Sequence, residues 1–312
     1  MSVTILRPKS REEWLILRQR GIGSSEVATI IGLNPWETPY QLWRRKKGLD
    51  EPKEENFAMK AGHYLEDAVS KCWEDETGRT IIKRSATDWI VKNNEKPFLQ
   101  ASPDRTYWSG DIRNAQNKGI LECKTTQREI EVNNIPKYWF VQLQYLLGTA
   151  GIEHGSLAWL SSGRHFGYKD IDLVPDFYAW LVEEVERFWR DNIEAGIEPD
   201  IINGRDAQIK YSKHTEGKER EVNEATAKAC EKLRTIKDKI KDLESEQADL
   251  ESEIKTAFGD AERITSNGIV LATWKAPKPS KRFDVDALKK EDLKTYERFL
   301  KEVQGSRRFL LK

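Results

Sequence analysis

The sequence ILECKT at residues 120–125 predicts a β-strand whose two faces carry different chemistry. Side chains alternate along a strand, so Glu122 and Lys124 share one face, about 7 Å apart by strand rise, while Leu121 and Cys123 share the other. The pattern therefore predicts a carboxylate and an ammonium group held side by side on one strand.

Helices and strands are predicted on both sides of this strand. Before it, the sequence indicates two short helices within 10–47, a longer helix at 57–77 that Gly78 ends, strand-like pieces around Ile81, 89–91 and 98–101, and a turn-rich stretch from Gly110 through 117–119. After it come a helix at 138–147, strands at 156–160 and 168–173, and an amphipathic helix at 176–193. The mixture predicts an α/β or α+β domain over residues 1–212.

A long apolar seam follows, and it predicts a helical, coiled-coil-like arm over residues 213–260. Its members recur at alternating spacings of four and three from Val222 to Ala257, which is the pattern of a coiled coil or a helical hairpin. The arm must pack on another chain, on a charged helix predicted at 285–303, or on the first domain. Thr226, Ala229 and Gln247 weaken the seam, which favours an intrachain hairpin or a partner-docking arm over a self-sufficient dimer.

The last part of the chain, residues 261–312, is predicted to be a small α/β unit. It contains a two-part stretch at 264–274 with a turn at Gly268, followed by the charged helix. We expect neither internal repeats nor low-complexity segments in this chain.

Composition excludes several classes of protein. The chain has 312 residues, 38% of them hydrophobic, and no run of about 18 apolar residues that could span a membrane. Its 52 basic and 52 acidic side chains cancel, so only local basic patches could attract nucleic acid. The three scattered cysteines Cys72, Cys123 and Cys230 are expected to be free thiols, and the N-terminus lacks a signal peptide, so we expect a cytoplasmic protein.

Three carboxylates and a lysine stand where charges are unexpected. Glu66 borders the apolar stripe of its helix, and Asp104 directly follows an apolar strand piece, while Glu122 and Lys124 lie on the next strand. Two nearby carboxylates can bind Mg²⁺ through oxygen and leave room for water and phosphate oxygens. The lysine can orient or deprotonate an attacking water, or stabilise charge that develops on a phosphate.

A glycine-rich segment near the N-terminus suits an anion but not ATP. Ser24 and Ser25 precede a predicted helix, where a hydroxyl can cap free N–H groups and an anion is favoured. The segment lacks the Gly-Lys-Ser/Thr ending of an ATP-binding loop.

Five blocks in fixed order give the chain a family resemblance over roughly residues 10–190. They are Arg18 with residues 21–27 (GIGSSEV), 62–66 (GHYLE), 102–104 (SPD), 122–124 (ECK) and 142–145 (QLQY). In these blocks the chain resembles the YqaJ-like viral recombinases, the lambda-exonuclease family within the wider PD-(D/E)XK nucleases.

That resemblance implies a restriction-endonuclease-like core with a central mixed β-sheet flanked by helices. It implies Mg²⁺, with Mn²⁺ as an alternative, held by Asp104 and Glu122 with help from Glu66, and Lys124 beside the attacking water. Gln142, with Gln144 as a further candidate, would complete the site from the following helix, where Tyr145 belongs to the same block. Arg18, Ser25 and Ser102 match positions that hold the 5′-phosphate of a DNA end.

His63 precedes Glu66 by three residues, as a metal-binding histidine does in helicase-linked nucleases. With no second histidine nearby, it is expected to lie on the surface or beside a ligand. The long arm has no counterpart in the compact lambda enzyme.

The function that the resemblance implies is an ATP-independent exonuclease. It would resect linear double-stranded DNA from 5′ to 3′ in a bacterial cytoplasm, as part of a phage or prophage, and leave 3′ single strands for an annealing protein. A homo-oligomer is left open, and no membrane partner is expected. The alternatives are an endonuclease of the same fold, although no base-reading helix is visible, and a non-catalytic protein that binds DNA ends or assists assembly.

Overall fold

The fold is described from a computed structural model, which covers residues 2–50, 56–82, 89–110, 117–302, 305 and 307–311. The chain divides into two compact units, Met1–Ala207 and Gln208–Lys312. Within the described residues, no helix is long and apolar enough to cross a membrane.

The first unit is built on a mixed five-stranded sheet with strand order β2-β5-β6-β7-β8. These strands are β2 (Thr80–Ile82), β5 (Arg105–Trp108), β6 (Lys118–Thr126), β7 (His154–Ser161) and β8 (His165–Asp172). The neighbours β6 and β7 run parallel, and the other pairs are antiparallel. The stretch 120–125 therefore lies on the central strand.

A second, antiparallel sheet has the order β1-β3-β4 and consists of β1 (Val3–Leu6), β3 (Ile90–Asn93) and β4 (Gln100–Ala101). The helices of this unit are α1 (Arg11–Gln19), α2 (Ser24–Ile30), α3 (Pro39–Lys46), α4 (Phe57–Thr77), α5 (Lys137–Ala150), α6 (Pro175–Arg187) and α7 (Gly204–Lys210). A π-helical turn, Phe188–Glu194, extends α6.

Helices cover both faces of the five-stranded sheet. On one face, Val69 and Trp73 of α4 pack against Leu121 and Cys123 of β6. On the other, α5 packs against Ile120 of β6 and also reaches β3 and β4, so that it fills the space between the two sheets. The predicted central mixed sheet flanked by helices is confirmed.

Two local predictions in this unit were wrong. The segment 10–47 forms three helices, because Thr38 caps a further one by accepting from Gln41 N at 3.2 Å, with Pro39 at its first position. The hydroxyls of Ser24 and Ser25 do not cap α2, because the helix begins at Ser24 and has Gly23 as its N-cap. Part of the predicted turn-rich stretch, 111–116, lies outside the described residues.

The second unit contains the long helix α8 (Glu224–Phe258), the hairpin β9 (Arg263–Ser266) and β10 (Ile269–Thr273), and the short helices α9 (Val285–Glu291) and α10 (Leu293–Arg298). Asn267 and Gly268 turn the hairpin with φ of 50° and 78°. Asp292 splits the single helix predicted at 285–303, because its side chain accepts from Thr295 N at 3.0 Å and starts a new helix. Val303 lies outside the described residues.

Candidate active site

The face of β6 that carries Glu122 and Lys124 meets α5 at Gln142. Lys124 Nζ donates to Glu122 Oε1 at 2.7 Å and to Gln142 Oε1 at 2.8 Å. Gln142 Nε2 donates to the same Glu122 oxygen at 2.5 Å. The three side chains form a closed triangle of hydrogen bonds, which holds the amine and the carboxylate in fixed positions.

Asp104 and Glu66 reach this triangle from neighbouring elements. Asp104 lies in the turn between β4 and β5, and its Oδ2 accepts from Cys123 N on β6 at 2.8 Å. Glu66 projects from α4, where its Oε1 contacts His63 Nδ1 at 2.9 Å and its Oε2 lies 3.9 Å from Arg105 Nη1.

Burial raises the pKa of all three carboxylates, and repulsion by Asp104 raises the pKa of Glu122 and Glu66 further. Burial raises the pKa of Glu122 to about 8, the charges of Asp104 and Glu66 add to the rise, and Lys124 opposes it. Burial also raises the pKa of Asp104 against the effect of Lys124, and the pKa of Glu66 rises through burial and the nearby Asp104. Such a cluster favours a bound cation.

The same buried charges favour the ionised form of Lys124. Burial lowers its pKa, but the carboxylates of Glu122 and Asp104 outweigh burial and leave the pKa above its ordinary value. The lysine is therefore held as an ammonium ion, which suits the stabilisation of negative charge better than the removal of a proton.

One buried oxygen indicates where a cation would fit. Glu122 Oε2 is buried and has no hydrogen-bond partner among the described residues. A buried carboxylate oxygen without a donor is costly, and a divalent cation would satisfy it. Within the described part of the chain, however, no three His, Cys, Asp or Glu side chains form a ready-made metal cage. The donor set of two acidic residues suits Mg²⁺, which keeps several of its own waters.

Two cavities meet at Glu66 and His63, which line both. One, of about 150 Å³, is also lined by Asp104 and Gln142 and by Arg18, Ser25 and Ser102. The other, of about 320 Å³, is also lined by Lys124 and Thr125. Glu66, Asp104 and the three residues predicted to bind phosphate thus share one cleft, whereas the buried Glu122 lines neither cavity.

Within that cleft the side chain of Arg18 is hydrogen-bonded to Ser25. Its Nη2 donates to Ser25 Oγ at 3.1 Å, and its guanidinium lies over the ring of Trp14 at 4.7 Å. The guanidinium of Arg18 and the hydroxyls of Ser25 and Ser102 line this cleft and can bind a phosphate group. We call these three residues the phosphate wall.

Comparison with known proteins assigns the chain to a family. A model of the YqaJ-like viral recombinase domain matches residues 13–153. The YqaJ protein of Bacillus subtilis strain 168 is 34% identical over 315 residues, which cover 97% of this chain and 94% of that protein. The chain belongs to the YqaJ-like viral recombinase family.

Solved structures similar to this YqaJ-family chain include two exonucleases. The alkaline exonuclease LHK-Exo of Laribacter hongkongensis is 21% identical, with a TM-score of 0.46 over 60% of this chain and 94% of that one. A phage-related exonuclease from Haemophilus somnus 129PT is 12% identical, with a TM-score of 0.42 over 57% of this chain and 96% of that one.

The structure keeps two candidate residues of the YqaJ-family chain away from the cleft. Gln144 lies two residues beyond Gln142, about 200° around the helix, and is buried, with hydrogen bonds to Asp172 O at 2.8 Å and Val174 N at 2.7 Å. Tyr145 is also buried, and its hydroxyl donates to Ile22 O at 3.0 Å. Gln144 anchors the start of α6, and Tyr145 holds the glycine-rich loop.

A buried ion cluster beneath that loop was missed from the sequence. Glu26 contacts Lys46 at 2.8 Å and Arg45 at 2.9 Å, and it accepts from Gly23 N at 2.8 Å. Burial opposes its ionisation, but Lys46, Arg18 and Arg45 outweigh burial and lower the pKa of Glu26 to about 2. A glutamate three residues after the N-cap, as in a capping box, was the available signal.

Lys46 fixes the backbone at the end of α1 and in the glycine-rich loop that follows it. Its Nζ is nearly inaccessible and donates to Arg18 O at 3.0 Å and Gly21 O at 2.6 Å. The loop is joined to β4 as well, because Gln100 N donates to Ile22 O at 3.1 Å. These bonds place Arg18 and Ser25 opposite the carboxylates.

Arg105 is a second residue that sequence reasoning missed. It directly follows Asp104, donates to Asp104 O at 2.7 Å and to Asp67 Oδ1 at 2.5 Å, and lies beside Glu66. It therefore connects α4 to the turn that carries Asp104. Its position immediately after the proposed ligand was the only signal.

Proposed function

We propose that this protein is a metal-dependent, ATP-independent deoxyribonuclease that degrades linear double-stranded DNA from the 5′ end. The observation that carries the proposal is the shared cleft, in which Glu66, Asp104 and Gln142 face Arg18, Ser25 and Ser102. A binding module has no use for paired carboxylates next to a phosphate site, because they repel the ligand unless a cation lies between.

Asp104 and Glu122, assisted by Glu66, would hold Mg²⁺, with Mn²⁺ as a substitute. The bound cation supplies charge neutralisation at the scissile phosphate and activation of a water molecule. Glu122 suits this role because its Oε2 lacks a protein donor, and Gln142 keeps Oε1 oriented from the other side. His63 steadies Glu66 from the adjoining turn of α4.

Lys124 would stabilise the negative charge that develops on the phosphate during hydrolysis. Its raised pKa keeps it protonated, and its bonds to Glu122 and Gln142 keep the ammonium group in place. A preorganised charge of this kind needs no rearrangement at the moment of reaction.

Arg18, Ser25 and Ser102 would hold the 5′-phosphate of the DNA end in the same cleft as the carboxylates. Cleavage would then occur a fixed distance from the end, which makes the enzyme an exonuclease. The 3′ single strand left behind would pass to an annealing protein in the host cytoplasm.

The experiment uses linear duplex DNA labelled at either the 5′ or the 3′ end, with covalently closed circular DNA as the control. We expect Mg²⁺-dependent release of the 5′ label from the linear duplex and no cleavage of the circle. Cleavage of the circle would identify an endonuclease of the same fold. Binding to ends without any hydrolysis, in Mg²⁺ or Mn²⁺, would identify a non-catalytic end-binding protein.

A further inference from the structure

The long helix α8 carries an apolar seam that its own unit leaves open. The seam runs from Thr226 to Ala257. Five of its large members are 43% to 63% exposed, namely Ile236, Ile240, Leu243, Leu250 and Ile254, and Leu233 is half-buried. Val222, which the sequence pattern included, lies before the N-cap Asn223. The intrachain hairpin, one of the two arrangements that the sequence favoured, is therefore not found in the described part of the chain.

The charges beside the seam divide the helix into two halves. In heptad notation the seam occupies positions a and d, and the flanking positions e and g decide how two helices pair. The charged flanking residues of the first half are all lysines, namely Lys232, Lys237 and Lys239. Those of the second half are all glutamates, namely Glu244, Glu246, Glu251 and Glu253.

We propose that α8 pairs with α8 of a second copy of this chain as an antiparallel coiled coil. The pairing centres between residues 241 and 242. In this register Ile240 faces Leu243 of the second copy, and Leu233 faces Leu250. The small Ala229 meets the large Ile254, Gln247 faces Ile236, and Thr226 faces Ala257 at the end of the seam.

The same register pairs opposite charges along both flanks. Antiparallel helices bring g to g and e to e. Lys232 then lies opposite Glu253 of the second copy, Lys239 opposite its Glu246, and Lys237 opposite its Glu244. Symmetry repeats each pair on the other side of the centre.

A parallel pair does not achieve this complementarity. There each g position meets the e position five residues further along the second copy. Lys232 would face Lys237, and Glu246 would face Glu251, so that like charges repel in both halves. Of the charged g positions, only Lys239 would face an opposite charge, on Glu244. The charges therefore select the antiparallel orientation, while burial of the seam supplies the attraction.

Light scattering or sedimentation of the full-length protein at micromolar concentration tests the pairing. Wild type should have twice the 36.2 kDa mass of one chain. Two variants reverse the charges of one half of α8 and should each be monomeric. The acidic arm carries Lys232→Glu, Lys237→Glu and Lys239→Glu. The basic arm carries Glu244→Lys, Glu246→Lys and Glu253→Lys. A mixture of the two should recover the doubled mass, because each arm then complements the other.

The matched control makes the same charge change on the outer face of α8 (Lys228→Glu, Lys241→Glu and Lys255→Glu) and should remain dimeric. Circular dichroism at 222 nm checks that every variant still contains folded protein. A monomeric wild type, or acidic and basic arms that stay dimeric alone, would overturn the proposal.

Disulfide crosslinking tests the orientation, with Cys230→Ala in every chain. Ile236→Cys chains mixed with Gln247→Cys chains should crosslink to each other, because these positions face each other only in the antiparallel register. Crosslinking of Gln247→Cys chains among themselves would indicate a parallel pair and contradict the proposal.

Discussion

At the scale of single residues, the site is governed by where charges are buried. Glu122 is buried on the central strand of the five-stranded sheet. Removal of its side chain would leave a cavity in the core, so Glu122→Gln is a cleaner substitution than Glu122→Ala.

Glu122→Gln should make the free energy of unfolding less dependent on pH. The folded pKa of Glu122, about 8, lies above that of an unfolded glutamate, so the folded protein keeps a proton that the unfolded chain releases. Without metal, this contribution to stability is complete below about pH 4.5 and is lost as pH rises through 8. Because glutamine cannot ionise, the Glu122→Gln variant does not lose this stability at high pH.

Thermal melting in EDTA measures this effect. The melting temperature of Glu122→Gln relative to wild type should be higher at pH 8.5 than at pH 5, by at least about 3 °C, the response of a domain of this size to about 1 kcal/mol. Added Mg²⁺ should stabilise wild type more than the variant at pH 8.5. An equal difference at both pH values would show that Glu122 does not ionise in this range.

Lys124→Ala should lower the single-turnover rate of DNA hydrolysis by at least roughly 100-fold, at the low end of what a positioned catalytic group contributes. The physical reason is the loss of a protonated amine that contacts Glu122 and lines the larger of the two cavities. Lys118→Ala, at the start of the same strand, is the control and should retain most of the rate. A Lys124→Ala rate equal to that of the control would make the lysine structural.

At the scale of elements, periodicity predicted the sheet and its flanking helices because burial imposes it. The alternation in 120–125 correctly placed Glu122 and Lys124 on one face, since Leu121 and Cys123 pack against α4. The arrangement of residues around the cleft could not be predicted from local sequence patterns. Glu26 and Lys46 meet 20 positions apart in the chain, and only tertiary packing brings them together.

Helix ends were the weakest predictions, because they depend on single side chains. Thr38 and Asp292 each start a helix through one hydrogen bond, which a search for apolar periodicity does not detect. Gln144 was drawn into the predicted site by its neighbour Gln142, although the turn of the helix points it elsewhere.

Gly23→Ala should weaken the preference for 5′-phosphorylated over 5′-hydroxyl DNA ends. A Cβ at this position would lie 2.4 Å from Arg18 Nη2, so the guanidinium must leave Ser25. The backbone of Gly23, at φ −82° and ψ 160°, accepts alanine without strain. The preference should fall at least about tenfold, which corresponds to the low end of the free energy that a hydrogen bond to a charged group contributes. Arg18→Ala should cause the same loss.

Competition between the two kinds of end in one reaction measures that preference. Gly204→Ala is the control, since a Cβ there meets open space. If Gly23→Ala keeps the preference while Arg18→Ala loses it, the guanidinium does not need its present position. Equal digestion of both ends by wild type would remove the end-reading role altogether.

At the scale of the whole molecule, the division into two units separates the proposed catalytic residues from the exposed seam. Unit 1 contains every residue proposed for catalysis, and it closes on itself through Asp206, which accepts from Thr38 and Gln41 at 2.8 Å each. Unit 2 carries the exposed seam.

A chain ending at Lys213 should keep Mg²⁺-dependent hydrolysis but lose assembly and processivity. It retains α7 with Asp206, so the bonds that close unit 1 survive, whereas α8 is removed. Light scattering and the length distribution of DNA products, each compared with full-length protein, are the measurements. Unchanged mass and processivity would make the arm dispensable, and an insoluble product would show that it completes the first unit.

The central claim is that the carboxylate cluster beside the phosphate wall hydrolyses DNA. The most direct test measures nucleotide release from a 5′-phosphorylated linear duplex, with and without Mg²⁺, by wild type, Glu122→Gln and Asp104→Asn side by side. Release by wild type only with the cation, and loss of at least about 100-fold in both folded variants, is the predicted result. Activity within about threefold of wild type in either variant, a difference of under 1 kcal/mol in barrier, would contradict the account.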